Sequence, residues 1–371
     1  MGDPQRHYAT VHVAGTNGKG STSAFLAAIL RAAGFRVGLY TSPHLVSFCE
    51  RSTVDGRPLT EPAVAAWTRR LLPVAVERDA SFFEITTAIA LADFAARGVD
   101  IAVVEVGLGG RLDATNVIEP LAAGVTRIAL DHAEYLGRDL AGIAREKTGI
   151  AKPGVPFLTT ETNDGVLEAM SEAAEGRGAR IERVSPALAA GYRLGLEGPH
   201  QIANASLALG LARALPAPWR PDGEAEVAGL AAARLPGRFD RRGPWVFDVA
   251  HNPDGMAALA RALAGAGLPR PLTAVVAILR DKAWGEMLAC LAPVADTLVL
   301  TRAPSAPHER AWDLETVARG EWRVASGGAA LVAEPDLGRA LSLARERAAT
   351  VVVTGSFHTV GDAMQALGFE P

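Results

Sequence analysis

Short apolar runs, glycine-rich turns and longer segments of helical period follow one another along most of this chain. Val11 to Ala14 is a β-branched run of strand length, and Ser21 to Ala33 predicts a helix with Phe25, Leu26, Ile29 and Leu30 on one face and Gly34 at the C-cap. Arg36 to Thr41 predicts a second strand. Phe83 to Arg97 predicts a helix carrying Ile85, Ile89, Ala92 and Ala96 along one side, closed by Gly98. "VDIAVVEVGLGG" and "GVTRIALDH" predict two further buried strands. Strands alternating with helices in this way require a mostly parallel sheet. The pattern restarts late in the chain: "PWVFDVA", "LTAVVAILR", "TLVLTR" and "TVVVTG" are strands, and "PDGMAALARALAGAG" is a helix opened by Pro253. Between the two series lies "LPGRFDRRGP", rich in proline, glycine and arginine, which predicts a hinge.

The first strand leads straight into "GTNGKGST", Gly15 to Thr22, and then into the first helix. Strand, glycine loop and helix N-terminus converge backbone N–H groups on one point, which suits an anion such as a phosphate. Lys19 can reach the outer phosphates of a nucleotide, and a hydroxyl after it can join a Mg²⁺ shell. The match to the usual phosphate loop is imperfect: Val13 stands at the first glycine position, and Gly20 delays the hydroxyl to Ser21. The alternative is a tight β-to-α turn in a chain with 38 glycines. The order of elements favours phosphate binding and a P-loop ATPase-type, mostly parallel first domain, residues 1–236. A smaller Rossmann-like α/β domain follows, residues 237–371.

Composition narrows the classes. The 371 residues are 49% hydrophobic and 21% charged, which fits a globular protein with sizeable cores. Net charge is −4 and no basic block occurs, which argues against a nucleic-acid surface. Cys49 and Cys290 are far apart and define no disulfide framework. No uncharged apolar run approaches membrane-spanning length, so the expectation is a cytoplasmic protein that binds no membrane.

Ligands of such sheets sit at the carboxyl ends of the strands. There the chain places the glycine loop, "TSPH" with Ser42 and His44, Glu105 after "IAVV", and Asp131 and His132 after "RIAL". A strand-end Glu can simply cap a helix, and a lone His is usually structural. Four polar strand ends beside a phosphate loop favour a nucleotide–metal site instead.

The segments "HVAGTNGKGST", "YTSPHLVSFCER", "FFEITTAIA", "EVGLGGRLDATN", "DHAEYLGRDLAGIAREKTGIAKPG", "HQIANASLAL", "LPGRFD", "DVAHNPDGM" and "TGSFHTVGDAM" occur in one order. In that order they resemble folylpolyglutamate synthase and dihydrofolate synthase, ATP-dependent amide ligases related to the Mur ligases. The resemblance covers nearly the whole chain and makes the second domain a glutamate-ligase domain. It implies transfer of the ATP γ-phosphoryl to a folate or dihydropteroate carboxylate, and attack on the acyl phosphate by L-glutamate. Such chemistry depends on positioning and on neutralising charge. The resemblance implies two Mg²⁺ ions, one held by Ser21, Ser42 and Glu105, the other by Glu105 and His132. It implies that nucleotide is bound by Gly15, Thr16, Asn17, Gly18, Lys19, Gly20, Ser21 and Thr22, with Asn204 near the adenine, Arg238 on the phosphates, and Asp248 and His251 from the second domain. Lys19, Lys147, His132 and Arg238 are the implied catalytic residues, and Lys147 is implied to be carbamylated by CO₂. Without the resemblance, Lys147 would pass for a surface lysine in a helical ion pair, and Asp248 for a buried carboxylate held by backbone. Substrate contacts are implied at Phe83, Asp113 and Ser356, and "GGRLDATN" with the phenylalanine pair of "SFFEITTA" suits a flat pterin. A monomer whose two domains close over the substrates completes the expectation.

The chain departs from the family pattern in three places. Only about a dozen residues precede the glycine loop, the stretch from Lys147 to His200 is short, and His358 stands where a tyrosine is expected. These leave the phosphate and metal residues whole and touch the acceptor contacts. Two other functions fit the motifs less well: a Mur-type ligase for another carboxylate, and a nucleotide-hydrolysing switch that ligates nothing.

Overall fold

The computed structural model describes residues 2–131, 137, 139–319 and 328–370, so His132 lies outside the described residues. The chain divides into two compact units, Met1–Gly195 with Gln201–Arg234, and Leu196–His200 with Leu235–Pro371. Among the described residues no helix is long and apolar enough to cross a membrane.

The first unit is built on an eight-stranded sheet of order β4-β3-β2-β5-β1-β6-β7-β8. The strands are β1 (Ala9–Ala14), β2 (Val37–Tyr40), β3 (Ser52–Val54), β4 (Arg57–Pro58), β5 (Ile101–Glu105), β6 (Ala122–Val125), β7 (Phe157–Thr159) and β8 (Ile181–Arg183). All pair in parallel except β3 with its neighbours β2 and β4. The centre is buried on both faces, which is why β6 reads as an apolar run, β5 as one closed by Glu105, and β1 as one interrupted only by Thr10 and His12. The polar stretch after β2 is not only loop. It folds into a 3₁₀ turn, Phe48–Arg51, and the two short antiparallel strands β3 and β4.

Helix α1 (Lys19–Ala32) starts two residues earlier than its apolar pattern predicts, because Gly18 with φ 94° lets the chain turn into the helix at once. It is buried all round from Gly20 to Leu30, not on one face. The helix Gly223–Ala232 covers its other side, and a Cβ on Gly229 would lie 2.3 Å from the Ile29 Cα. Only glycine permits that backbone approach. Helices α2 (Glu61–Glu77) and α3 (Phe82–Ala96) pack together, and α3 opens with a capping box between Ser81 and Glu84.

The segment "GVTRIALDH" departs from expectation. The strand stops at Val125, and residues 126–131 run under the glycine loop as irregular backbone. Their peptide groups serve the loop instead of a neighbouring strand.

The second unit carries a six-stranded sheet of order β13-β12-β11-β14-β10-β9. Its strands are β9 (Asp240–Arg242), β10 (Trp245–Asp248), β11 (Leu272–Val276), β12 (Thr297–Leu300), β13 (Ala330–Ala333) and β14 (Thr350–Thr354). Part of the expected hinge is β9 itself, an edge strand antiparallel to β10, with Phe239 before it buried.

Candidate functional site

The glycine loop gets its shape from contacts that no side chain on it could tolerate. A Cβ on Gly15, at φ 143°, would lie 1.8 Å from Thr126 Oγ1. On Gly18 it would lie 2.2 Å from Asn204 Oδ1. Thr126 Oγ1 donates to the Asn17 carbonyl at 2.7 Å. The Thr16 amide donates to the Arg127 carbonyl at 3.0 Å, and Thr16 Oγ1 accepts from the Ala129 amide at 3.1 Å. The irregular segment after β6 therefore clamps the loop from below. Lys19 Nζ donates to the Gly15 and Thr16 carbonyls, each at 3.1 Å, which holds the ammonium over the mouth of the loop. Thr22 Oγ1 donates to the Asn204 carbonyl at 3.3 Å, so the structure brings Asn204 to the loop across a large separation in sequence. Gly20, Ser21 and Thr22 are buried in the first turn of α1.

Glu105 ends β5 in register with Val13, directly beside the start of the loop. It is buried, and one carboxylate oxygen accepts from the Ser42 amide at 3.3 Å. Ser42, Ser21 and Glu105 supply only oxygen donors. Among the described residues no three His, Cys, Asp or Glu side chains cluster as a metal cage. One carboxylate with hydroxyls fits Mg²⁺, which binds through a few hard oxygens together with substrate phosphates and water.

The loop after β5 seats against the C-terminal end of the helix Leu140–Thr148, which carries Lys147. A Cβ on Gly110 would lie 2.9 Å from the carbonyls of both Glu146 and Lys147, which explains a glycine there. The Arg111 amide donates to the Glu146 carbonyl at 3.0 Å, and Asn116 Nδ2 donates to the Gly149 carbonyl at 3.2 Å. Lys147 is only 4% exposed. Its pKa falls from 10.5 to about 7, chiefly through burial and then through Lys19, with Asp131 and Asp113 opposing the drop. The surface-pair alternative for Lys147 is thus excluded by its burial.

Asp113 holds the same loop together. One oxygen accepts from the amides of Gly107 at 3.1 Å and Leu108 at 2.9 Å, and the other from the amide and hydroxyl of Thr115. Phe83 packs on Gly107, where a Cβ would meet its ring at 2.3 Å, and lies 6.2 Å from the Tyr40 ring. The exposed member of the phenylalanine pair is Phe82, 63% exposed, with the Arg51 guanidinium over its ring at 5.6 Å and Phe48 edge-on at 6.3 Å. Arg51 Nε donates to His44 Nδ1 at 2.8 Å. Sequence reasoning cited the phenylalanine pair and passed over Phe48 and Arg51. Their only signal was an aromatic-and-basic cluster in "HLVSFCER" and "SFFE".

In the second unit Asp248 ends β10 and is 7% exposed. It accepts from the amides of Phe239 and Ala250, each at 2.9 Å. Burial raises its pKa, opposed by His200, Arg238 and those two amides. The carboxylate is held by backbone and faces Arg238 as well. Phe357 gathers two other candidates: the Arg238 guanidinium lies 5.0 Å above its ring and the His251 ring 5.7 Å away. Phe357 was missed, although it follows the capping Ser356 directly in sequence. Ser356 accepts from the Thr359 amide at 3.1 Å and bonds Thr359 Oγ1 at 2.7 Å, so its hydroxyl caps the helix Phe357–Ala366. His358, in place of the expected tyrosine, bonds Ser305 Oγ through Nδ1 at 2.9 Å.

Residues 13–156 match the Mur ligase middle domain, and residues 237–357 match the glutamate ligase domain of the Mur ligases. The chain is 36% identical to the dihydrofolate synthase/folylpolyglutamate synthase of Mycobacterium tuberculosis, over 100% of this chain and 88% of that protein. The chain belongs to the folylpolyglutamate synthase/dihydrofolate synthase family. A crystal structure of the family's Mycobacterium tuberculosis folylpolyglutamate synthase, complexed with ADP and AMPPCP, matches with a TM-score of 0.87 and 35% identity, covering 100% of this chain and 93% of that one. Another family structure, a bifunctional folylpolyglutamate synthase/dihydrofolate synthase with Mn, AMPPNP and L-glutamate bound, matches with a TM-score of 0.86 and 32% identity. It covers 99% of this chain and 91% of that one. The fold expected from the sequence, two α/β units with mostly parallel sheets, is thus the family's fold.

Proposed function

We propose that this chain joins L-glutamate to the carboxylate of a pterin-bearing acceptor, dihydropteroate or a folate, at the expense of ATP and through an acyl phosphate. As a family member it is an ATP-dependent acid–amino-acid ligase. The observation that carries the finer reading is a loop in which Gly15 and Gly18 admit no side chain, with Glu105 at the strand end beside it and buried Lys147 within electrostatic reach of Lys19. Loop amides and Lys19 bind the triphosphate, and Lys19 follows the γ-phosphoryl as it passes to the acceptor carboxylate. A divalent metal, Mg²⁺, neutralises phosphate charge when bound; Ser21, Ser42 and Glu105 are the residues that would hold it, with His132 implied for a second ion. Asn204 is proposed to contact the nucleotide, and Arg238, Asp248 and His251 keep their proposed roles toward nucleotide and phosphate. Phe82 and Phe83 offer aromatic faces suited to a pterin beside the Asp113 loop.

Lys147 is proposed to carry a carbamate. The buried amine, once deprotonated, attacks CO₂: the N–C bond forms as one C=O π pair moves onto oxygen, the N–H proton leaves to solvent, and the neutral amine becomes an anion facing Lys19. The enzyme is read as a cytoplasmic monomer. Incorporation of labelled glutamate, measured with dihydropteroate and with a reduced folate as separate acceptors, tests the reading. Incorporation with either acceptor supports it, and ATP turnover with no incorporation into any acceptor overturns it.

A further inference from the structure

His12 lies in the middle of β1, three residues before Gly15 opens the glycine loop, and is fully buried. A histidine in a central, two-sided strand has to satisfy its ring nitrogens inside the protein. Its Nε2 lies 2.8 Å from Thr115 Oγ1. Thr115 has one hydroxyl hydrogen, and it goes to the Asp113 carboxylate, an acceptor only. The remaining lone pair of Thr115 must therefore accept from His12, which puts the imidazole hydrogen on Nε2. The other nitrogen agrees: among the described residues Nδ1 has no hydrogen-bond partner. A bare acceptor there is less costly than a buried N–H donor with nothing to meet it. Burial, with Lys152 second, keeps the ring neutral and pushes its pKa down to about 3.

Beyond Asp113 the same chain of bonds reaches the amides of Gly107 and Leu108, where the backbone leaves β5 just past Glu105. We propose that His12 is a positioning residue for ligation: as the Nε2–H tautomer it orients the Thr115 hydroxyl, and through it fixes Asp113 on the Gly107 and Leu108 amides. It touches no substrate itself. One buried ring within the strand that leads to the glycine loop thus sets the shape of the Asp113 loop, which seats against the helix end that carries Lys147. The link to acceptor affinity rests on the proposed placement of the Asp113 loop at the acceptor.

Three measurements test this. Nitrogen NMR of the native enzyme should show His12 protonated at Nε2 and not at Nδ1 across about pH 5 to 8; the opposite tautomer overturns the proposal. Amide exchange of Gly107 and Leu108 should speed up about tenfold in His12→Leu and stay near native in His12→Gln, which keeps a donor near the Nε2 position. Unchanged exchange in His12→Leu overturns it. If His12→Leu does not fold, Thr115→Val against Thr115→Ser asks the same question with the same criteria. KM for the pterin acceptor should then rise about tenfold in His12→Leu with KM for ATP unmoved. An Asp113→Asn enzyme with a native acceptor KM would remove the acceptor placement alone, and the exchange rates would still decide the role of His12. An acceptor KM raised by Asp113→Asn and untouched by His12→Leu overturns the role of His12.

Discussion

Replacing Lys147 by methionine should make the protein more stable at pH 7 while abolishing ligation. Met is close to Lys in length, is apolar, and suits a site that is 4% exposed. In the folded protein the lysine pKa falls from 10.5 to about 7, with burial the main cause. At 1.36 kcal/mol per pH unit, the native lysine costs folding about 4 kcal/mol at pH 7. The sign follows from proton counts. Between about pH 7 and 10.5 the unfolded chain binds more protons at this lysine than the folded one, so native stability rises with pH. By pH 10 the cost drops below about 1 kcal/mol. Below about pH 7 both states are protonated and the cost levels off. Denaturant unfolding of native protein and Lys147→Met in CO₂-free buffer, at pH 7 and at pH 10, reads this directly. Lys147→Met should be more stable at pH 7, by up to about 4 kcal/mol, and the gap should close toward pH 10. Adding bicarbonate should stabilise the native protein and leave Lys147→Met unchanged. A variant no more stable at pH 7, or a gap independent of pH, would refute the picture of a lysine buried as a nearly neutral amine.

Lys19→Ala should stay folded, with a thermal midpoint near native, and lose ligation by roughly three orders of magnitude or more in a coupled ADP-release assay. Gly15→Ala forces a Cβ to within 1.8 Å of Thr126 Oγ1 at φ 143°; it should cost about 1–3 kcal/mol in denaturant unfolding and weaken ATP in a nucleotide titration. Asp248→Asn leaves one oxygen where two amides need acceptors, so unfolding should show a loss of about 1–3 kcal/mol.

What the sequence made legible was local. The glycine loop, Glu105 at its strand end, and the order of strands and helices are written in adjacent letters and in apolar period, and they stand where that pattern puts them. Positions decided by groups distant in sequence were not legible. The reason for Gly110 is the pair of carbonyls at Glu146 and Lys147, and the reason for Gly18 is Asn204. Burial of Lys147 follows from the way "GLGGRLDATN" covers its helix, so the same letters read as a surface ion pair until the fold is known. "GVTRIALDH" has strand composition throughout, yet its second half gives up pairing to hold Thr16 and Asn17. The helix cap made by the Ser356 hydroxyl in "TGSFH" was a role the letters did not announce. His12 disappears inside an apolar strand, and only the oxygen it meets reveals a function for it.

Ligation through an acyl phosphate is tested most directly by oxygen transfer. The enzyme is given ATP, L-glutamate and dihydropteroate or folate labelled with ¹⁸O in the reacting carboxylate, and the inorganic phosphate is analysed by mass spectrometry. One labelled oxygen should pass to each phosphate released, with one glutamate incorporated for each ADP formed. Phosphate free of label, released at the same rate when glutamate and acceptor are left out, would contradict a ligase and leave a nucleotide-hydrolysing protein in its place.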